Sequence, residues 1–140
     1  NSGLLITSVV YLKEGTNKNF LIIDAGMNDL LRPAIYDAEH EFLSVSEERN
    51  NHNQIVADIV GPICESSDVF SKNIILPKMI SGDLLAIYSA GAYGAVMSSE
   101  YNSRPLIPEL IVNENLFSVV RSRPKIEEVI KRDQIPYWLR

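Results

Sequence analysis

Eight short apolar runs, rich in β-branched and aromatic residues and each bounded by Gly, Pro, Ser or Asn, most narrow what this chain can become. Leu4 to Tyr11 and Asn19 to Asp24 flank the turn-prone Lys13-Glu14-Gly15-Thr16-Asn17-Lys18, which predicts a β-hairpin. Further strands are expected at Phe42 to Val45, Gln54 to Val60, Val69 to Leu76, Leu84 to Tyr88, Leu106 to Val112 and Phe117 to Arg121. Short strands at this spacing predict a mainly β fold, a barrel or a sandwich. Two segments break the pattern. Gly94 to Tyr101 lacks clean alternation and allows a short helix. Pro124 to Arg132 has proline at a first helical position, acids early, bases late and Ile126, Val129 and Ile130 on one face. The chain is therefore expected to end in a helix, with Tyr137 and Trp138 packed on it.

Length and composition exclude several functions. With 140 residues, 46% of them hydrophobic and 22% charged, one domain over 1–140 with one core is expected. No repeat, low-complexity tract or linker divides it. A net charge of -5 provides no basic field for a nucleic-acid backbone or an anionic membrane. Cys64 is the single cysteine, so no intrachain disulfide or multi-cysteine zinc site can form, and a cytoplasmic location is expected. The longest apolar runs, Ile55 to Val60 and Leu84 to Tyr88, fall far short of the roughly 20 residues a membrane helix needs. The opening Asn1-Ser2-Gly3 has no initiator methionine and leads directly into a strand, as in a chain cut from a longer one.

Four segments set reactive or charged groups beside turn residues: Asp24-Ala25-Gly26-Met27, Leu31 to Tyr36 (LRPAIY), Gly61 to Asp68 (GPICESSD) and Gly91-Ala92-Tyr93-Gly94. Composition alone leaves each with an ordinary structural explanation. Together, in this order and spacing, DAGMNDLLRPAIYDAEH (Asp24 to His40), GPICESSD and GDLLAIYSAGAYGAVMSSEYNSRP (Gly82 to Pro105) resemble the C-terminal domain of the diaminopimelate decarboxylases. Their wider family also holds ornithine and arginine decarboxylases and has an alanine-racemase-like fold. The resemblance covers nearly the whole chain. It implies pyridoxal 5'-phosphate as cofactor, held by the Schiff-base lysine and glycines of an N-terminal β/α barrel that this chain lacks. Half an active site is implied, so the chain alone is expected to be inactive.

A lone cysteine is usually a small buried hydrophobe, but Cys64 sits in a polar Gly-Pro…Glu-Ser-Ser-Asp turn. The resemblance makes it the acid that protonates the carbanion left by decarboxylation, in the partner subunit's site. An ordinary thiol, with a pKa of about 8.5, can donate a proton at neutral pH without tuning. Arg32, Tyr36 and Glu65 would ordinarily be read as solvated charges and a half-buried aromatic. By resemblance Arg32, helped by Tyr36, binds the distal carboxylate of the substrate, for which a guanidinium offers a bidentate match. Glu65 would bind the distal ammonium. The pair argues against ornithine, whose distal end is a bare amine that Arg32 would repel. Tyr93, taken alone, is a core aromatic over a turn. The resemblance sets it beside the cofactor phosphate and the substrate, where its phenol can donate a hydrogen bond.

His40 and His52 have no metal-ligand spacing and are read as structural, as are Asp24 and Asp29 in the turn after the second strand and Asp68 closing the turn after Cys64. No metal is expected. The combined expectation is a Greek-key β-barrel or sandwich with a short helix and a C-terminal helix. It would complete a homodimeric, pyridoxal-phosphate-dependent carboxy-lyase that converts meso-2,6-diaminopimelate to L-lysine and CO2, the last step of lysine biosynthesis. Two other readings stay open: a decarboxylase of the same family acting on another basic amino acid or polyamine precursor, and a non-catalytic module derived from the fold.

Overall fold

The computed structural model describes residues 2–49 and 53–139, so His52 lies outside the described residues. The chain divides into two compact units, Asn1–Ser98 and Ser99–Arg140.

The first unit is a six-stranded sheet formed by β1 (Leu4–Lys13), β2 (Phe20–Ile23), β3 (Phe42–Ser44), β4 (Gln54–Val60), β5 (Val69–Pro77) and β6 (Leu84–Tyr88). The strand order is β3-β6-β1-β2-β4-β5. The two end strands, β3 and β5, approach one another, so the sheet curls nearly closed and is a barrel rather than a sandwich. Alternation decides which face turns inward. Leu5, Thr7 and Val9 of β1 are buried, whereas Leu4, Ile6 and Val10 are exposed. Leu21 and Ile23 of β2, Ile59 of β4 and Leu85 and Ile87 of β6 complete a core in which each fully buried side chain contributes about 1.5–3 kcal/mol. Buried Asp58 is accommodated because it is paired. Its carboxylate lies 2.6 Å from Lys18 Nζ and accepts the N–H of Asn73 at 2.8 Å, across the irregular stretch of the β4–β5 ladder.

Strand direction places the functional loops. β1 is antiparallel to both β2 and β6, and β2 is parallel to β4. It follows that β2, β4 and β6 all run the same way, and the segments after Ile23, Val60 and Tyr88 leave from one edge of the barrel. The parallel pairing is possible because the long connection from β2 to β4 contains α1 (Arg32–Tyr36) and β3.

The second unit contains the hairpin β7 (Glu109–Asn113) and β8 (Leu116–Arg121) and the helix α2 (Ile126–Ile130). β7 starts later than the run from Leu106 predicts, because Pro108 has no N–H to give to a ladder. The two-residue turn carries Glu114 at a φ of 53°. Glu109 and Arg121 face each other across the ladder as an ion pair. The predicted Pro124 to Arg132 helix shrinks to a short α2, opened by the Glu128 carboxylate accepting the N–H of Lys125 at 2.9 Å. The chain ends beyond α2 in a 3₁₀ turn, Tyr137–Leu139, and not in the helix itself. Tyr137 and Trp138 are largely exposed and meet each other edge to face at 5.0 Å, so they do not pack α2 as expected. The short helix predicted over Gly94 to Tyr101 is replaced by 3₁₀ turns at Ala95–Met97 and Tyr101–Ser103. Ser98, extended at a ψ of 153°, ends the first turn after Met97, and Asn102, at a φ of 61°, keeps the second from continuing as a helix.

Candidate functional site

The segment after β2 is tied down before it reaches α1. Asp24 accepts from the Thr7 hydroxyl at 2.5 Å and from the Ser8 N–H at 2.8 Å, while Thr7 Oγ1 accepts the N–H of Ala25 at 2.9 Å. Asp29 then accepts the N–H of Gly26 at 2.9 Å, and Leu30 anchors the turn in the core. With the chain fixed this way, α1 begins at Arg32, has Pro33 in its first turn and ends at Asp37 in the left-handed region. Arg32 and Tyr36 are four residues apart and so share a helix face. The sequence reading missed this helix. A proline in the first turn was its only signal, and five residues are too few to show periodicity.

The segment after β4 carries Cys64 and Glu65, both exposed, on a turn whose base is buried Ile63 and Asp68. This turn and the one after β2 are joined. The Asp68 carboxylate accepts from Ile63 N–H within its own turn and from Met27 N–H in the other, each at 2.7 Å.

The segment after β6 is held against the start of β1, where Gly91 N–H donates to Ser2 carbonyl at 2.7 Å and Ala90 N–H to Gly3 carbonyl at 3.1 Å. A Cβ on Gly91 would strike the Ser2 carbonyl oxygen, so the close approach requires glycine. Beyond it Tyr93 adopts a φ of 59°, a conformation costing a bulky residue on the order of 1–3 kcal/mol and therefore held by its surroundings. Its ring is 62% exposed, and the Arg32 guanidinium carbon lies 5.8 Å from the ring centroid. At that range the cation meets the negative face of the ring, worth about 0.5–1 kcal/mol at an exposed place.

Arg32 and Tyr93 are thus in direct contact, Tyr36 is one helical turn from Arg32, and the Cys64–Glu65 turn is tied to the loop that leads to Arg32. These five polar or reactive side chains stand at one edge of the sheet without forming an enclosed pocket. A concavity of about 560 Å³ is lined by residues such as Pro33, Asp37, His40, Phe70 and Lys72 and includes none of the five. His40 bonds the Tyr88 carbonyl through Nδ1 at 2.8 Å. Among the described residues no three His, Cys, Asp or Glu side chains converge as metal ligands, and no helix is long and apolar enough to cross a membrane.

Comparison with known proteins shows the family and the fold. Residues 1–91 match the family described as pyridoxal-dependent decarboxylase, C-terminal sheet domain, a span that includes Arg32, Tyr36, Cys64 and Glu65 and stops just short of Tyr93. A diaminopimelate decarboxylase of Zymomonas mobilis is 44% identical over 139 residues, covering 99% of this chain and 32% of the relative. The crystal structure of diaminopimelate decarboxylase from Helicobacter pylori complexed with L-lysine superposes with a TM-score of 0.84 and 44% identity over 92% of this chain and 31% of that one. The enzyme of M. jannaschii in co-complex with L-lysine gives a TM-score of 0.90 and 36% identity over 97% of this chain and 31% of that one. The chain thus spans about a third of the length of the relatives it matches.

Proposed function

This chain belongs to the C-terminal sheet-domain family of pyridoxal-dependent decarboxylases, and from that membership we propose that it is the part of a diaminopimelate decarboxylase that completes the active site and reads the substrate. The observation that carries the reading is the Arg32 guanidinium over the Tyr93 ring, at the same barrel edge from which the Cys64–Glu65 turn leaves. The reaction is decarboxylation of meso-2,6-diaminopimelate to L-lysine and CO2. Two relatives crystallised with L-lysine support this choice, since lysine is the product it requires.

The residues present fit a cofactor attached elsewhere. The three loops contain no lysine, so attachment falls to an N-terminal β/α barrel of the full-length protein. The exposed phenol of Tyr93 fits as a neutral donor to the cofactor phosphate. Bound pyridoxal phosphate supplies an electron sink for the pair left at the α-carbon as CO2 departs. This chain does the rest. Arg32, with Tyr36, holds the distal carboxylate, and Glu65 holds the distal ammonium, so the far end of the substrate fixes which carboxyl is in line to leave. Cys64 passes its thiol proton to the α-carbon. Because Cys64 and Glu65 stand exposed on a half-formed edge, the working unit is a homodimer in which they complete the neighbouring subunit's site. The cytoplasm suits an exposed thiol that must stay reduced.

The test is Arg32→Ala in the full-length enzyme. Losing a charged recognition bond worth about 2–5 kcal/mol should raise KM for diaminopimelate at least about 30-fold, with Arg32→Lys falling between. The cofactor absorbance should remain. Unchanged KM, or loss of that absorbance, contradicts the assignment.

A further inference from the structure

The turn that carries Cys64 is held on both sides by one residue to which the reaction gives no direct part. Asp68 is buried, and both carboxylate oxygens accept backbone N–H groups, Oδ2 from Ile63 and Oδ1 from Met27, each at 2.7 Å. Its own N–H donates to the Glu65 carbonyl at 3.0 Å, and its carbonyl accepts the N–H of Gly61 at 3.0 Å. Cys64 therefore lies between two residues bonded to Asp68. An aspartate that only closed its own turn would have no need of Met27, which belongs to the loop that leads to Arg32. Packing repeats the link: Ser67 Oγ reaches Met27 Sδ at 3.6 Å, and a Cβ on Gly26 would meet the Ile63 side chain at 2.9 Å.

We propose that Asp68 is a positioning residue that sets the Cys64 thiol relative to the Arg32-bearing loop by bonding the backbones of both turns through one carboxylate. The proposal rests on the reading of Cys64 as the proton donor. Its chemistry is specific to a carboxylate. An asparagine offers one oxygen and turns its NH2 toward the second backbone donor, so one turn must be released. Gly61→Ala perturbs the same knot while keeping the carboxylate's chemistry, because a Cβ on Gly61 would strike the Asp68 carboxylate and displace it from its two donors.

The experiment uses full-length, cofactor-loaded enzyme carrying Asp68→Asn, Gly61→Ala, Cys64→Ala, or Asp68→Asn with Cys64→Ala. Hydrogen exchange should speed up by about tenfold or more in peptides from both turns, 24–31 and 61–68, in Asp68→Asn and Gly61→Ala. Turnover should fall on the order of 10²-fold in Asp68→Asn, as expected for a misplacement of about 1 Å, while KM moves far less and cofactor absorbance is kept. Added to Cys64→Ala, Asp68→Asn should cost less than about a further twofold, because a group acting through Cys64 has nothing left to position. Faster exchange confined to 61–68, full multiplication of the two losses, or failure of both Asp68→Asn and Gly61→Ala to fold with cofactor overturns the proposal. Loss of turnover in Cys64→Ala with normal turnover in Asp68→Asn overturns the positioning role alone. Normal turnover in Cys64→Ala removes the proton-donor reading and the proposal with it.

Discussion

Thr7→Val keeps the shape of a buried β1 side chain and removes its hydroxyl, which makes it a sharp test of how the barrel anchors its functional edge. Thr7 is 3% exposed. Its Oγ1 donates to Asp24 at 2.5 Å and accepts from Ala25 N–H at 2.9 Å, joining β1 to the segment that leads to Arg32. Valine forfeits a hydrogen bond to a charged acceptor, about 1.5–3 kcal/mol, and deprives a buried N–H of its acceptor, about 1–3 kcal/mol. The added methyl returns about 0.8 kcal/mol, and Asp24 keeps its bond to Ser8 N–H. The net loss comes to about 2–5 kcal/mol. Thr7→Ser keeps both bonds and loses one methyl, about 0.8 kcal/mol. Urea unfolding followed by far-UV circular dichroism measures the difference. Trp138, the single tryptophan, belongs to the 99–140 unit, whereas β1 belongs to the other. At a slope of about 2 kcal/mol/M, the Thr7→Val midpoint should fall by about 1–2.5 M and lie below that of Thr7→Ser. A Thr7→Val midpoint at or above wild type would refute the reasoning, since burial alone favours valine.

Two substitutions separate the core from the chemistry. Leu21 is fully buried, paired with Leu12 on one side and Ile59 on the other, and Leu21→Ala should cost about 2–5 kcal/mol in the same unfolding assay. A loss below about 1 kcal/mol would mean that the barrel collapses around the gap. Cys64 is exposed, and Cys64→Ala in the full-length enzyme should lower turnover by about 10²–10⁴ with little change in melting temperature. Normal turnover with a lowered melting temperature would return it to a structural role.

The strands were legible in the sequence because alternation and turn residues act locally: β4 and β6 coincide with their predicted runs, and the β1–β2 hairpin forms across the expected turn. Local signals failed where the chain is short or strained. α1 is too brief to show a period, and Ser98, extended at a ψ of 153°, stops after one turn the helix that Ala, Val and Met allow. The candidate site was legible as residues but not as an arrangement. Arg32, Cys64 and Tyr93 stand out beside turns, yet their shared edge depends on β2 running parallel to β4, a pairing that no segment encodes by itself. Asp68 shows the same limit, since an aspartate four residues after a cysteine reads as a turn closer, and its bond to Met27 joins positions far apart in the chain.

The central claim is that this chain supplies half of a site completed across a dimer, and mixing two inactive full-length variants tests it most directly. One variant lacks the cofactor lysine of the barrel, and the other carries Cys64→Ala. If Cys64 serves the neighbouring subunit, each mixed dimer contains one intact site and one doubly damaged site. Random exchange makes half the dimers mixed, so about one quarter of wild-type activity should return. Exchange confirmed by mass, with no activity recovered, would show that Cys64 serves its own subunit and would contradict the account.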